Sequence, residues 1–287
     1  MTQDGVVRVP YRDWLGVEGL AVSERGIRLH LPYRAQNSNM GGALHGGVSA
    51  SLINLAAREA VLQTVPDVQA AQVQVVNQNV HYLAAAVQQA VVAEGRVVKT
   101  GKGIVFVDVH VLTTDEEPLA VGQVIVRIAQ TAPHYAIDPV EVRPGEFVEG
   151  DNQSSAMGKL LTGSGFIGHL GIAIEHMAAG RAKLTLPYRD EIGDGKGQLH
   201  DGAVAALIDT AGAMAAWASL AAGAKRASTP AINVSFFASG GSDEALTALA
   251  QAQWERDEMF LSRVLVVGAE TGRAVAEGTV CYRIVLS

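Results

Sequence analysis

The chain repeats itself. Shifted by 155 residues, LPYR at 31–34 lands on LPYR at 186–189, and Gly42, Leu44, His45 and Gly47 land on Gly197, Leu199, His200 and Gly202. Over 31–60 the ungapped match is 13 identities in 30. Ordinary residue frequencies would give about two. A period this long marks two copies of one structural unit rather than a solenoid of short ones. We divide the chain into 1–140 and 141–287.

Each copy runs in the same order. After the shared motif comes an apolar helix, over about 46–63 in the first copy and 201–222 in the second, rich in Ala, Leu and Ile and free of Pro. Four runs of alternating, β-branched residues follow, over 72–84, 88–100, 103–114 and 119–130, and over 229–239, 245–256, 259–269 and 273–286. Asn79-Val80 and Asn233-Val234 open matching strands. The stretch 131–145 holds three of the nine prolines and reads as the linker. The unit is therefore α+β: one lead-in strand, a long apolar helix, then a four-stranded antiparallel meander. A helix apolar all round must be wrapped by its sheet. A lone half would leave a sheet edge and a helix flank open. The two helices should therefore lie antiparallel, with the sheets joined.

Composition narrows the function classes. With 48% hydrophobic and 18% charged residues the sequence is a folding one, and a net charge of -7 with no Lys/Arg run argues against nucleic-acid binding. The single cysteine, Cys281, excludes an internal disulfide and fits a reducing compartment. The N-terminal stretch lacks a signal-peptide pattern, so a cytoplasmic location is expected. Residues 202–224 carry one charge, Asp209, and are long enough to span a bilayer. Alanine dominates the segment and a central carboxylate is costly in lipid, which favours a buried helix and no membrane.

The repeated motif carries a resemblance. Gly197-Gln198-Leu199-His200-Asp201-Gly202 followed by Leu207-Ile208-Asp209, and Gly42-Ala43-Leu44-His45-Gly46-Gly47 followed by Leu52-Ile53-Asn54, resemble the signature of acyl-CoA thioesterases of the phenylacetate-degradation (PaaI-like) type. The resemblance implies a tandem hot-dog fold and hydrolysis of an acyl-CoA, without metal or redox cofactor. It also implies further association, to a homodimer or larger. A hot-dog hydratase or dehydratase on enoyl- or hydroxyacyl-CoA, and a non-catalytic acyl-CoA-binding protein, are the alternative readings.

The chemistry needs both copies. A thioester carbonyl gains negative charge in the tetrahedral transition state, and a helix N-terminus offers orphan N–H groups and a partial positive charge to it. His45-Gly46-Gly47 at a helix start fits that need. The acid, Asp209, sits nine residues after its own histidine, about 13.5 Å along a helix. It can act only at the start of a partner helix lying antiparallel beside its own. In the family, an asparagine six residues before the histidine, the histidine and the next glycine come from one subunit. The acid, often with a hydroxyl residue on the following strand, comes from the other. The resemblance thus assigns Asn39, His45 and Gly46 of the first copy and Asp209 and Thr229 of the second to one composite site, Asp209 being general base or nucleophile. The opposite pairing has Asn54 for the acid, Asp194 for the asparagine and Asp201 for the glycine beside His200, and reads as disabled.

Other patterns carry less. Gly163-Ser164-Gly165-Phe166-Ile167-Gly168 satisfies a dinucleotide-binding spacing, but follows a helix-like stretch (SSAMGKLL) rather than a strand. The histidines are scattered, with only Glu175 between His169 and His176, so no metal is expected.

Overall fold

Side chains that no water can reach decide this architecture. We describe a computed structural model, in which residues 9–23, 26–129, 152, 165–220, 224–237 and 243–286 are defined. The 131–145 linker, the 140/141 division and the SSAMGKLL stretch lie outside the described residues. The first copy holds α1 (Pro10–Leu15), β1 (Glu18–Ser23), β2 (Gly26–Leu31), α2 (Gly46–Thr64), β3 (Val73–Tyr82), β4 (Val91–Thr100), β5 (Ile104–Thr113) and β6 (Pro118–Ile128). The second repeats the order as α3 (Gly165–Leu170), β7 (Ala173–Ala178), β8 (Arg181–Leu186), α4 (Asp201–Trp217), β9 (Ala224–Phe236), β10 (Leu246–Arg256), β11 (Met259–Gly268) and β12 (Ala274–Leu286). Both long helices start where the sequence places them. α4 ends at Trp217 rather than 222, where the indole N–H donates to the Tyr282 hydroxyl at 3.2 Å.

The twelve strands form one antiparallel sheet, in the order β1-β2-β4-β5-β6-β3-β9-β12-β11-β10-β8-β7. The halves join through β3 and β9, whose register is centred on Asn79 opposite Asn233. Asn77 Nδ2 donates across the seam to Ser235 Oγ at 3.0 Å. Two expectations need correction. Each copy has two lead-in strands forming a hairpin, not one. The four later strands are not a simple meander either: β4, β5 and β6 follow one another, but β3 lies beyond β6. That placement brings β3 to the inner edge, where it pairs with its counterpart and removes the open edge of each half.

The sheet curls around the helices because they have no polar face. Every residue from Gly202 to Ala216 is buried, as are Val48 to Ala57 on α2. The sheet comes close enough that a Cβ on Gly122 would stand 2.6 Å from Ile53 Cγ2, and one on Gly278 2.7 Å from Ile208 Cγ2. Glycine at the same place in β6 and β12 therefore makes room for the same isoleucine of each helix. This is the tandem hot-dog architecture. Among the described residues no helix is long and apolar enough to cross a membrane.

Candidate active site

Small residues set the distance between α2 and α4, and that distance builds the site. A Cβ on Gly47 would lie 2.7 Å from Ala206 Cβ, and one on Gly202 3.1 Å from Ser51 Cα. The backbones thus touch near both helix starts, and the numbers run in opposite directions, so the helices are antiparallel. Asp209, about one turn beyond Ala206, arrives at the start of α2. A Cβ on Gly46 would be 2.9 Å from Asp209 Oδ2. Glycine is what leaves room there for the carboxylate and for anything between the two. The other oxygen, Asp209 Oδ1, accepts from Thr229 Oγ1 at 2.8 Å.

The start of α2 is capped by its own histidine. His45 Nδ1 accepts from Gly47 N–H at 3.0 Å. Burial pushes its pKa down to about 4, so the ring is neutral and its proton sits on Nε2, leaving Nε2–H as a donor. Asp209 is 3% exposed. Burial lifts its carboxyl to about 6, and the Thr229 hydrogen bond partly opposes that lift. A neutral donor, a helix N-terminus and a restrained carboxylate of raised basicity therefore converge. Together they can polarise a carbonyl and take a proton from water.

Asn39 sits differently. Its side chain is exposed and its Oδ1 accepts from Gly41 N–H at 2.9 Å and Ala43 N–H at 3.2 Å. Asp194 holds the equivalent loop in the same way, through Lys196 N–H at 2.7 Å and Gln198 N–H at 3.2 Å. The side-chain oxygen is thus spent on shaping the loop before each histidine, a task aspartate performs equally well. His45, Gly46, Asp209 and Thr229 are brought together, whereas Asn39 makes its hydrogen bonds to its own loop.

Residues 41–120 match the thioesterase superfamily. A Halobacterium salinarum protein named as an esterase is 34% identical over 119 residues, which cover 38% of this chain and 78% of that protein. The chain belongs to the thioesterase superfamily. Solved structures agree on the fold over the full length. A hot-dog-fold protein of Alicyclobacillus acidocaldarius superposes with a TM-score of 0.67 at 17% identity, covering 98% of this chain and 100% of that one. An acyl-CoA thioesterase II of Mycobacterium marinum does so with a TM-score of 0.65 at 14% identity, covering 96% and 97%.

The opposite pairing of this superfamily member makes internal contacts. Asn54, fully buried, donates from Nδ2 to Gln78 Oε1 at 3.1 Å, while its Oδ1 has no partner among the described residues. Asp201 stands where Gly46 stands in the other copy. Tyr11 of α1 stacks on His200 with ring centroids 5.0 Å apart, and its hydroxyl lies 2.8 Å from Ser51 Oγ. Phe166 of α3 is its counterpart at the same 155-residue shift, 5.2 Å from the His45 ring. Trp14 and His169, also counterparts, stack on each other at 4.5 Å. Sequence reasoning missed these short helices, although Leu15-Gly16 and Leu170-Gly171 continue the repeat.

A carboxyl raised from 3.8 to about 6 disfavours the folded state once it must ionise. The folded protein holds this proton in the window from about pH 4 to 6 where the unfolded chain has lost it, so stability falls as pH rises through that window. At about 1.4 kcal/mol per pH unit, the full cost above pH 6 is roughly 3 kcal/mol. Asp209→Asn should therefore be more stable than the parent in denaturant titrations at pH 7.5, with the gain fading towards pH 4. A variant no more stable at pH 7.5 than the parent would contradict the buried-carboxylate account.

Proposed function

We propose that this protein hydrolyses an acyl-CoA thioester to the free acid and CoA, at one composite site between its two repeats. Placement of the Asp209 carboxylate against Gly46 at the start of the partner helix carries this reading. The thioester carbonyl would rest before α2, accepting from Gly46 N–H, with His45 Nε2–H as a second donor. Asp209 would take a proton from water as the oxygen attacks the carbonyl carbon. Collapse of the tetrahedral intermediate would expel CoA thiolate, which would recover that proton. Direct attack by the carboxylate is the variant of the same scheme. Thr229 would keep one Asp209 oxygen fixed, so that the other faces the substrate. Asn39 would act through the loop that sets His45 in place.

The finer placement, among thioesterases of the phenylacetate-degradation type, is supported by His45-Gly46-Gly47 and Leu207-Ile208-Asp209 as they stand in this chain. Its lone cysteine suits a cytoplasmic enzyme. The outer face of the sheet suits a homodimer or larger assembly. A light-scattering mass near the 30.0 kDa of one chain would contradict that last point.

The test of function is release of free thiol from short, medium, long and aromatic acyl-CoAs. Asp209→Asn should lose about 10²–10⁴-fold in turnover, the range for general-base catalysis. His45→Ala should also lose rate, whereas His200→Ala and Asn54→Ala should stay within a few-fold once equal melting temperatures are verified. Because Asp209 must be ionised, parent turnover should fall as pH drops below about 6. Equal losses from His45→Ala and His200→Ala would mean two working sites. Full activity in Asp209→Asn would favour a binding protein.

A further inference from the structure

The first turn of α2 hands out its N–H groups unevenly. Gly47 N–H goes to His45 Nδ1 at 3.0 Å, and Val48 and Ser49 N–H go to His45 O at 2.9 and 3.3 Å. Among the described hydrogen bonds, Gly46 N–H is left without an acceptor. It is the donor free for a substrate carbonyl, yet it lies in a Gly-Gly pair, the backbone with the least intrinsic restraint. A donor stabilises a developing oxyanion only if it is already aimed. His45 O, accepting from Val48 and Ser49, ties the peptide on one side of Gly46, and something other than a side chain on residue 46 must tie the peptide on its other side.

Tyr82, the last residue of β3, does so. Its hydroxyl donates to Gly46 O at 3.1 Å. The carbonyl of Gly46 and the N–H of Gly47 belong to one peptide group, so that group is held at one end by Tyr82 and at the other by His45. The ring also forms a wall. Its Cε1 and Cζ would lie 3.5 and 3.6 Å from a Cβ on Gly46, which would itself be 2.9 Å from Asp209 Oδ2. Symmetry provides an independent argument. The two-fold relation centred on Asn79 opposite Asn233 makes Phe236 the counterpart of Tyr82. The hydroxyl is therefore present where the helix starts Gly46-Gly47 beside Asp209, and absent where it starts Asp201-Gly202 opposite Asn54.

We infer that Tyr82 is a positioning residue, whose hydroxyl holds the Gly46–Gly47 peptide so that Gly46 N–H stays aimed at the carbonyl of the bound thioester. The inference rests on the hydrolase reading above and deepens it. Tyr82 does not exchange protons in this role. Burial and the charge of Asp209 raise its pKa well above the ordinary value, and its proton is committed to Gly46 O.

Tyr82→Phe keeps the ring and removes one oxygen, and an unchanged melting temperature establishes that the fold is retained. We expect kcat to fall about tenfold or more, KM to stay within about twofold, and the acid limb near pH 6 to stay in place. Phe236→Tyr, at the mirror position, should leave kcat unchanged. A second readout does not depend on turnover. In Asp209→Asn, which would hold the thioester uncleaved, the infrared stretch of a ¹³C-labelled thioester carbonyl should be shifted to lower frequency than in free solution. Adding Tyr82→Phe should return part of that shift. Parental kcat in Tyr82→Phe, or a carbonyl stretch indifferent to it, would overturn the inference while inactivity of Asp209→Asn left the hydrolase reading standing. Full turnover in Asp209→Asn would overturn the hydrolase reading itself, and Tyr82 with it.

Discussion

Two helix backbones pack directly on each other at the centre of the molecule. Gly47 meets Ala206 and Gly202 meets Ser51 with almost no side chain between them. Larger residues at these places would push the helices towards the 8–10 Å spacing of ordinary packing. Asp209 would then fall short of the start of α2. The rest of the fold follows from holding two such helices together. Neither has a polar face, so both must be wrapped, and one sheet can wrap both only if β3 and β9 pair at its centre.

A duplicated chain begins with two equivalent helix starts, and this one has made them different. One side keeps Gly46, Asp209 and Tyr82, so that a carboxylate faces open backbone. The other side carries Asp201, Asn54 and Phe236, and its polar groups meet one another: Asn54 with Gln78, and Tyr11 with Ser51. Phe166 and Ala206 stand at the places of Tyr11 and Ser51 on the first side, so the hydroxyl pair belongs to the second side alone. The energetic burden is likewise uneven. Asp209 is buried with Thr229 as its one hydrogen-bond donor among the described residues, the kind of group that stability alone would not retain.

Much of this could be read in the sequence, and what could not has physical reasons. The repeat, the absence of a polar stripe and the nine-residue gap from His200 to Asp209 led to the wrapped antiparallel pair with one acid reaching across. The lead-in hairpins escaped because β1 lies at the sheet edge with almost all its residues exposed, so its sequence has no alternation to detect. Strand order escaped because it is set by where the chain crosses over, which local periodicity does not encode. Tyr82 escaped because an aromatic in a strand reads as ordinary β-propensity, and only the packing of β3 on the start of α2 shows it facing Gly46. Asn39 was legible as a polar loop residue next to the site, but its oxygen serves Gly41 and Ala43, a use the motif could not reveal.

The central claim is that two copies make one site, and stoichiometry tests it most directly. Calorimetric titration of the intact protein with a non-hydrolysable thioether analogue of its best acyl-CoA counts the sites without relying on turnover. The account predicts one equivalent bound per chain. Two equivalents per chain would show that the pairing of Asp201, Asn54 and Tyr11 still admits a ligand, and would contradict it.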